Sequence, residues 1–200
     1  MFEKLKPLVK KKSICFAGPT NMVVERCKIH KNILEDCFKT VNFMTTSKLL
    51  NEKIRYDLKG KTYFEIKQTK NSPIYQYDII VIDEISMMSE KLFELIDYLC
   101  KKIRNNQLSF GGIQVIMSGD FYQLPPVCKD KNIVSESNFC FQSDLWDSTF
   151  DYSYIFEKNF RQSGDKKYFE MLQEIRVGEP SLETIVTLVE CSKKKENQFI

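Results

Sequence analysis

The chain has 200 residues, of which 42% are hydrophobic and 28% charged, and its formal net charge is +3. These values are typical of a soluble globular protein with one domain, or one domain and an appendage. The small net charge does not by itself point to a nucleic-acid partner. Because no apolar run approaches membrane-spanning length and no signal peptide is recognisable, we expect an intracellular protein without a membrane partner.

Short apolar runs predict strands, longer runs with helical spacing predict helices, and the two kinds alternate along the chain. Asn21 is placed to cap the first helix and Ser89 the clearest one, while Gly178 is placed to end a late helix. In chain order, the predicted elements are a strand at 13–17, a helix from 21 to about 38, a strand at 41–43, a short helix after Ser47, a hairpin at 54–66 with Lys59-Gly60 at its turn, a polar loop at 67–76, a strand at 77–82, a helix from Ser89 to about 103, a strand at 113–117, a short helix after Ser143, a strand at 152–156, a helix at 165–177 and a last helix from Ser181.

The seven cysteines form no CxxC pair. Several lie in apolar runs, as Cys15 and Cys100 do, so we expect reduced and mostly buried thiols. Because His30 is the single histidine, the sequence argues against a zinc site.

Strands separated by helices of ten or more residues predict an α/β fold with a mainly parallel sheet flanked by helices. In such sheets the chemistry lies beyond the carboxyl ends of the strands. Predicted strands end in polar or loop-forming motifs, and this convergence is more telling than any one motif. The motifs are GPTN at 18–21, DE at 83–84, SGDFYQLPP at 118–126 and EKNFRQ at 157–162.

Two carboxylates, Asp83 and Glu84, directly follow the apolar run IIVI at 79–82. The first can hold Mg²⁺ through its water shell, and the second can orient an attacking water for phosphoryl transfer. This pattern alone also fits an ordinary strand end that enters a helix. The following residues ISMM at 85–88 make it more specific.

The string GDFYQLPPV at 119–127 is too dense for turn chemistry alone to explain. Asp120 is placed near a metal or to brace the loop, and the Gln123 amide can report on a terminal phosphate or its attacking water. In NFRQ, Arg161 can reach a γ-phosphate, although by itself it also fits a surface ion pair.

Hydroxyl groups and backbone donors near two helix starts suit the phosphates of a nucleic acid. They belong to GPTN at 18–21 and MTTS at 44–47, and each motif alone is most simply a helix cap. The rings of Phe121, Tyr122 and Trp146 could stack on bases, but we favour a core position for Trp146.

Together these motifs resemble the PIF-type DNA helicases, in the RecD-like branch of helicase superfamily one. The resemblance covers nearly the whole chain in family order, and it implies a RecA-like P-loop NTPase motor domain over residues 1–192, with a basic tail or linker at 193–200. It is carried by IIVIDEISMMSEKLFELID, FGGIQVIMSGDFYQLPPV, FQSDLW and NFRQSGDKKYFEMLQEIRVGEPS, with weaker support from AGPTNMVVERC and NFMTTSKLLN.

The resemblance implies an ATP-driven helicase that moves 5′ to 3′ on single-stranded DNA and unwinds duplex junctions, with ATP as substrate and Mg²⁺ as cofactor. It does not distinguish a nuclear, mitochondrial or viral replication setting. Asp83 would hold Mg²⁺ and Glu84 would be the catalytic base, while Gln123 would sense the γ-phosphate and Arg161 would contact it. The implied DNA path is lined by Pro19, Thr20, Asn21, Thr45, Thr46, Ser47, Phe121, Tyr122, Pro125 and Pro126.

This sequence departs from the family in two places. It has Thr45-Thr46-Ser47 where the family often has Thr-x-His, and its 200 residues contain no phosphate loop of the form GxxxxGK[ST]. The helix-like FEKLKPLV before SICFAGPT predicts that Met1 falls inside the helix after that loop, so about 20–35 residues would precede it. We expect the lacking strand to lie between the strands at 79–82 and 113–118, and a second motor domain to come from the same or a separate chain.

Two other functions stay open. The chain could be a non-enzymatic remnant that binds single-stranded DNA, or one piece of a split helicase. It could also be an unrelated Mg²⁺-dependent phosphotransferase or nuclease that uses Asp83, Glu84 and Asp120, although that function does not explain GDFYQLPPV or NFRQ.

Overall fold

The computed structural model describes residues 10–50, 55–56, 62–63, 72–127, 138–157 and 164–196. It divides into two compact units, Met1–Asp151 and Tyr152–Ile200. The predicted helix end at 2–9, the hairpin turn and Arg161 lie outside the described residues. The single motor domain predicted over 1–192 stays a prediction.

The described strands are β1 Ser13–Gly18, β2 Thr40–Thr45, β3 Arg55–Tyr56, β4 Thr62–Tyr63, β5 Ile79–Ile82 and β6 Gln114–Met117. Parallel strands form the main sheet of the first unit, in the spatial order β2-β1-β5-β6. In this sheet Phe16 pairs with Phe43 on one side and with Val81 on the other, and Ile80 pairs with Val115. The predicted hairpin is present as the antiparallel pair β3-β4.

Helices connect the strands, as predicted for a parallel sheet. In the first unit they are α1 Asn21–Lys28, α2 Lys31–Cys37, α3 Thr46–Leu50, α4 Glu90–Arg104 and α5 Trp146–Thr149, with short 3-10 helices at Pro73–Gln76, Ile85–Met87, Ser109–Gly112 and Cys140–Gln142. In the second unit they are α6 Lys166–Val177 and α7 Leu182–Glu196. None of the helices in the described ranges is long and apolar enough to cross a membrane.

Successive side chains of a strand point to opposite faces of the sheet. The central strands β1 and β5 have buried residues at successive positions, so both faces of the sheet are covered there. Cys15 and Ala17 of β1 belong to the core that the apolar face of α4 completes. On the opposite side, Ile14 is buried and the ring of Phe16 stacks on that of Phe43, with the centroids 5.3 Å apart. Burial raises the pKa of the Cys15 thiol to about 12, which keeps it protonated. The described cysteines are free, as expected for reduced thiols.

Helix α4 has the clearest local signals, and they are confirmed. The Ser89 hydroxyl accepts the N–H of Leu92 (3.2 Å), which caps the first turn of α4. Inside the helix, the buried Asp97 accepts the N–H of Phe110 (2.8 Å) and pairs with Lys101 (2.7 Å). The buried carboxylate is therefore satisfied, and it fastens the loop before β6 to α4.

The second unit also agrees with the predicted helix boundaries. Asp165 caps α6 by accepting the N–H of Tyr168 (2.9 Å), and Gly178 ends it with a φ of +79°. Ser181 caps α7 by accepting the N–H of Thr184 (3.2 Å). These contacts lie within one helical turn, which is why the sequence sufficed to predict where α6 begins and ends and where α7 begins.

The predicted helix from 21 to about 38 is wrong in its extent and in its cap. It is two helices, α1 and α2, because His30 leaves helical geometry with a ψ of 11°. Ile29 and Ile33 fit the helical spacing of the apolar residues in this segment, but they are exposed. Thr20 rather than Asn21 is the N-cap, since the Thr20 backbone is extended and its Oγ1 accepts the N–H of Val23 (3.4 Å).

Two strand predictions are also wrong. Residues 152–156 form no strand, and their large side chains are exposed, up to 94% for Phe156. A strand needs a hydrogen-bonded neighbour, and the described residues of the second unit provide none. We also expected a further strand between the strands at 79–82 and 113–118. No strand can lie there, because β5 pairs directly with β6 along its whole length. An added strand could join this sheet only at β2 or β6, its outer strands.

We expect Gly111→Ala to destabilise the first unit much more than Gly112→Ala. Both glycines have a positive φ, +61° and +73°, which costs an L residue about 1–2 kcal/mol. A Cβ at Gly111 would lie 2.4 Å from the Cys100 carbonyl oxygen, whereas at Gly112 it would meet the mobile end of the Asn106 side chain at 2.7 Å. Denaturant unfolding should show a further loss of about 1–3 kcal/mol for Gly111→Ala. Equal losses would contradict this packing.

Candidate functional site

The carboxyl ends of β1, β5 and β6 meet at one edge of the sheet. The ladder continues past the strand ends, because the Asp83 N–H donates to the Ala17 carbonyl (3.0 Å) and the Ser118 N–H to the Ile82 carbonyl (2.9 Å). The Ile85 N–H then donates to the Ser118 carbonyl (3.1 Å), which ties the loop after β5 to the loop after β6. The structure therefore places the three motifs that follow these strands side by side, as expected for a parallel sheet.

A single arginine of α1 contacts both acids. Arg26 Nη2 lies 2.6 Å from Glu84 Oε1 and 3.5 Å from Asp83 Oδ2. On the other side of Asp83, the Ser118 hydroxyl donates to Oδ1 (2.7 Å). The hydrogen bond to Glu84 is the largest cause that raises the pKa of the Arg26 guanidinium above its ordinary value, and the negative charge of Asp83 adds to it. The site is thus an acid pair neutralised in part by one cation.

The backbone after β5 is bent sharply around the acids. Glu84 has a φ of 57° and a ψ of 48°, a left-handed conformation that costs a non-glycine residue about 1–2 kcal/mol. Gly119 packs so closely against this bend that a Cβ would lie 2.8 Å from the Ile85 backbone nitrogen. The absence of a side chain at Gly119 therefore allows the close approach of two neighbouring loops.

Asp120 organises the loop that follows β6. Its carboxylate accepts the backbone N–H of Tyr122 (3.1 Å) and the side-chain amide of Gln123 (3.2 Å). This arrangement corresponds to the second of the two roles predicted for Asp120, a brace for the loop. Tyr122 is 63% exposed and Leu124 is 67% exposed, so the braced loop presents aromatic and apolar groups to solvent.

Phe121 points the other way and anchors the loop in an aromatic cluster. Its ring packs edge-on against Phe139, Phe141 and Trp146, with centroids 5.8, 4.8 and 6.2 Å away. Trp146 in turn contacts the core residue Phe93 (5.5 Å), in agreement with the core position that we favoured for it. Of the two predicted stacking residues of this loop, Tyr122 is therefore the one whose ring faces solvent.

The two hydroxyl motifs also lie next to each other, because β1 and β2 pair with Gly18 opposite Thr45. Thr20 caps α1, and Thr45 Oγ1 accepts the N–H of Lys48 (3.2 Å) at the start of α3. Of the predicted DNA-path residues, Thr46 is buried, Pro19, Thr20, Thr45, Phe121 and Pro126 are partly exposed, and Asn21, Ser47, Tyr122 and Pro125 are exposed. The two hydroxyl motifs thus lie at adjacent strand ends, and the DNA path that they are predicted to line stays a prediction.

Two residues that contact the acids were missed by sequence reasoning. Ser118 lay inside a motif but had no assigned role, and Arg26 lay in the weaker family segment AGPTNMVVERC, also without an assigned role. The one signal for Arg26 is its place on the helix that follows β1, the neighbour of β5 in the sheet. Arg161 lies outside the described residues, so its predicted contact with a γ-phosphate stays a prediction.

The chemistry of the acid pair fits Mg²⁺ held together with a nucleotide. No group of three or more His, Cys, Asp or Glu side chains in the described ranges could form an all-protein metal cage. Mg²⁺ does not need one, because it typically binds one or two carboxylates and completes its shell with water and substrate phosphates. Asp83 and Glu84 already share one guanidinium, so their oxygens are placed to share a cation.

This fold and site define an α/β domain of the RecA-like kind, with an acid pair at the carboxyl end of a central parallel strand. A family model described as PIF1-like helicase matches residues 51–184, more than half of the chain. The chain therefore belongs to the PIF1-like helicase family.

Relatives and solved structures agree with this assignment. The chain is 44% identical over 105 residues to the ATP-dependent DNA helicase PIF1 of Saccharomyces cerevisiae (52% of this chain, 12% of the relative), and 39% identical over 99 residues to the human PIF1 (50% and 15%). A crystal structure of Pif1 helicase from Bacteroides in complex with ADP-AlF3 and ssDNA matches with a TM-score of 0.67 and 26% identity, over 93% of this chain and 42% of that one. The chain thus spans a small part of these curated relatives.

Ser86 provides a test of the packing beneath the acids. Its hydroxyl is buried and has no hydrogen-bond partner among the residues that the structure describes, whereas the buried Ser143 hydroxyl donates to Glu94 (2.8 Å). We expect Ser86→Ala to leave the free energy of unfolding unchanged or raise it slightly, and Ser143→Ala to lower it by about 1–3 kcal/mol. Urea unfolding of both variants measures the difference. A loss for Ser86→Ala as large as that for Ser143→Ala would mean that Ser86 has a partner.

Proposed function

We propose that the chain serves an ATP-dependent DNA helicase as the part of the motor that carries the metal-binding acids and one wall of the DNA path. The observation that carries this proposal is the meeting of Asp83, Glu84 and the loop 119–127 at the same sheet edge as the hydroxyl motifs. A motor needs these groups together, because nucleotide hydrolysis must change the contacts made to DNA.

On the nucleotide side, Asp83 holds Mg²⁺, and the Ser118 hydroxyl keeps its carboxylate in place (2.7 Å). Bound Mg²⁺ supplies positive charge that neutralises the phosphates of ATP. Glu84 accepts a proton from the attacking water, Gln123 senses the γ-phosphate and Arg161 contacts it. These 200 residues contain no phosphate loop of the form GxxxxGK[ST].

On the nucleic-acid side, single-stranded DNA runs along the ends of β2 and β1 and over the loop after β6. The helix starts at Thr20 and Thr45 supply hydroxyls and backbone donors for phosphates, and the exposed Tyr122 supplies a ring for a base. The relatives' names and the DNA-bound Bacteroides structure support this side of the proposal. Movement from 5′ to 3′ and the unwinding of duplex junctions would follow from the family.

We expect the purified 200-residue chain to hydrolyse no ATP, with or without single-stranded DNA, because it has no loop to hold the phosphates. Phosphate release in the presence of Mg²⁺ measures this. Glu84→Gln from a parallel preparation is the control, since turnover that survives this change comes from a contaminant. DNA-stimulated hydrolysis that Glu84→Gln abolishes would contradict the prediction and show that other residues hold the phosphates.

We expect the chain to bind single-stranded DNA in a salt-sensitive manner, and Tyr122→Ala to weaken this binding about 5- to 100-fold, the range for losing one stacked base. Tyr75→Ala is the matched control, because Tyr75 is also exposed but precedes the amino end of β5, away from the carboxyl ends of the strands. Fluorescence anisotropy with a labelled oligonucleotide measures both affinities. Equal losses for the two variants would remove Tyr122 from the DNA path.

The alternative of a non-enzymatic DNA-binding protein has one observation in its favour. The DNA-side motifs are present in the sequence, with Thr45-Thr46-Ser47 in place of Thr-x-His as the one departure, whereas the phosphate loop is not. DNA binding without any response to ATP and Mg²⁺ supports this alternative, and a change in DNA affinity on adding them supports a motor part. Metal-dependent cleavage of the oligonucleotide in the same assay would instead indicate the nuclease alternative.

A further inference from the structure

The contact of Arg26 with the acid pair is shaped differently from an ordinary surface ion pair. One nitrogen, Nη2, faces both Glu84 Oε1 (2.6 Å) and Asp83 Oδ2 (3.5 Å). The second oxygen of Asp83 already accepts the Ser118 hydroxyl (2.7 Å). The guanidinium thus lies against one oxygen of each acid, and a divalent ion bound between the acids would compete with Arg26 for these two oxygens.

The contact is accessible and weak enough to be exchanged. The side chain of Arg26 is 49% exposed, and those of Asp83 and Glu84 are 28% and 23% exposed, so solvent and ions reach the pair. Partly exposed ion pairs add little net stability, because the charges give up solvation and side-chain freedom when they meet. A divalent ion carries twice the charge of the guanidinium and attracts both carboxylates more strongly.

We propose that Arg26 is a built-in competitor for the divalent cation. In the cation-free chain it holds the two acids together, and it leaves them when the cation binds. This inference rests on the proposed function for the assignment of Asp83 to the cation and of Glu84 as the acid beside it. It adds that the affinity of this site is set in part by a residue of α1, the helix that begins beside the predicted DNA contact Thr20.

The test compares Mn²⁺ binding by the full 200-residue chain and its variants, without nucleotide or DNA, from the electron paramagnetic resonance signal of free Mn²⁺. Arg26→Gln removes the competitor. Lys28→Gln is the matched control, because it removes one positive charge from the same helix but from a pair with Glu25 (2.6 Å). Arg26→Lys keeps the positive charge but replaces the planar guanidinium with a compact ammonium group. Asp83→Asn tests the cation site itself.

We expect Arg26→Gln to bind Mn²⁺ about three- to tenfold more tightly than the wild type, and Lys28→Gln to stay within about twofold. Arg26→Lys should lie between these two, and Asp83→Asn should weaken binding. If Asp83→Asn weakens binding while Arg26→Gln does not strengthen it, the competition is disproved and the proposed cation site survives. If Asp83→Asn has no effect, the cation site of the proposed function fails as well. No measurable Mn²⁺ binding by Arg26→Gln at millimolar concentration also overturns the proposal.

A second measurement uses the wild-type chain and so does not depend on the folding of a variant. The guanidinium Nε–H signals of Arg26 and Arg104 are followed by nuclear magnetic resonance while Mg²⁺ is added. Arg104 is the internal reference, because it donates to the Tyr77 carbonyl (2.8 Å) and contacts neither acid. We expect the Arg26 signal to move and then level off as Mg²⁺ is added, while the Arg104 signal stays fixed. An Arg26 signal that stays fixed at saturating Mg²⁺ would overturn the proposal.

Discussion

The hydrogen-bond ladder that joins β1, β5 and β6, and that continues past their carboxyl ends, is the constraint on which the site depends. The bonds from Asp83 to Ala17 and from Ser118 to Ile82 extend the parallel pairing into the loops. Three segments that are far apart in sequence therefore leave the sheet at one edge and in one register. The buried apolar residues on both faces of the sheet maintain this register, because a shift by one residue would turn them toward the wrong face.

The crowding at this edge explains local features that would otherwise be unconnected. A side chain at Gly119 would be too close to the neighbouring loop, because its Cβ would lie 2.8 Å from the Ile85 backbone nitrogen. Glu84 takes a left-handed conformation in the same bend, where its side chain meets Arg26. Phe121 anchors the loop after β6 in the aromatic cluster, and Tyr122 beside it remains exposed. The edge thus combines an acid pair in a sharply bent loop with a second loop that faces solvent.

Most local signals were reliable. The cap at Ser89, the glycine stop at Gly178 and the helix starts at Asp165 and Ser181 involve partners within one helical turn, so the sequence was enough to predict them. One local signal failed, because Thr20 rather than Asn21 caps α1. Other errors occur where distant partners decide. Residues 152–156 have a strand-like composition but no strand forms, because strand formation depends on a hydrogen-bonded neighbour. The break at His30 likewise cannot be read from helical spacing, which Ile29 and Ile33 fit although they are exposed.

The sequence by itself determined the α/β class, the family, and the meeting of polar motifs at the strand ends, because alternating strands and helices allow few arrangements other than a parallel sheet. It also determined which residue types are available for a metal ion and for phosphates. Only the tertiary structure decided that β5 pairs directly with β6, that Asp120 braces its own loop, and that Arg26 lies against Asp83 and Glu84. That last contact joins residues 57 and 58 positions apart. No local pattern encodes such a distance, since it arises only when β1 and β5 become neighbours in the sheet.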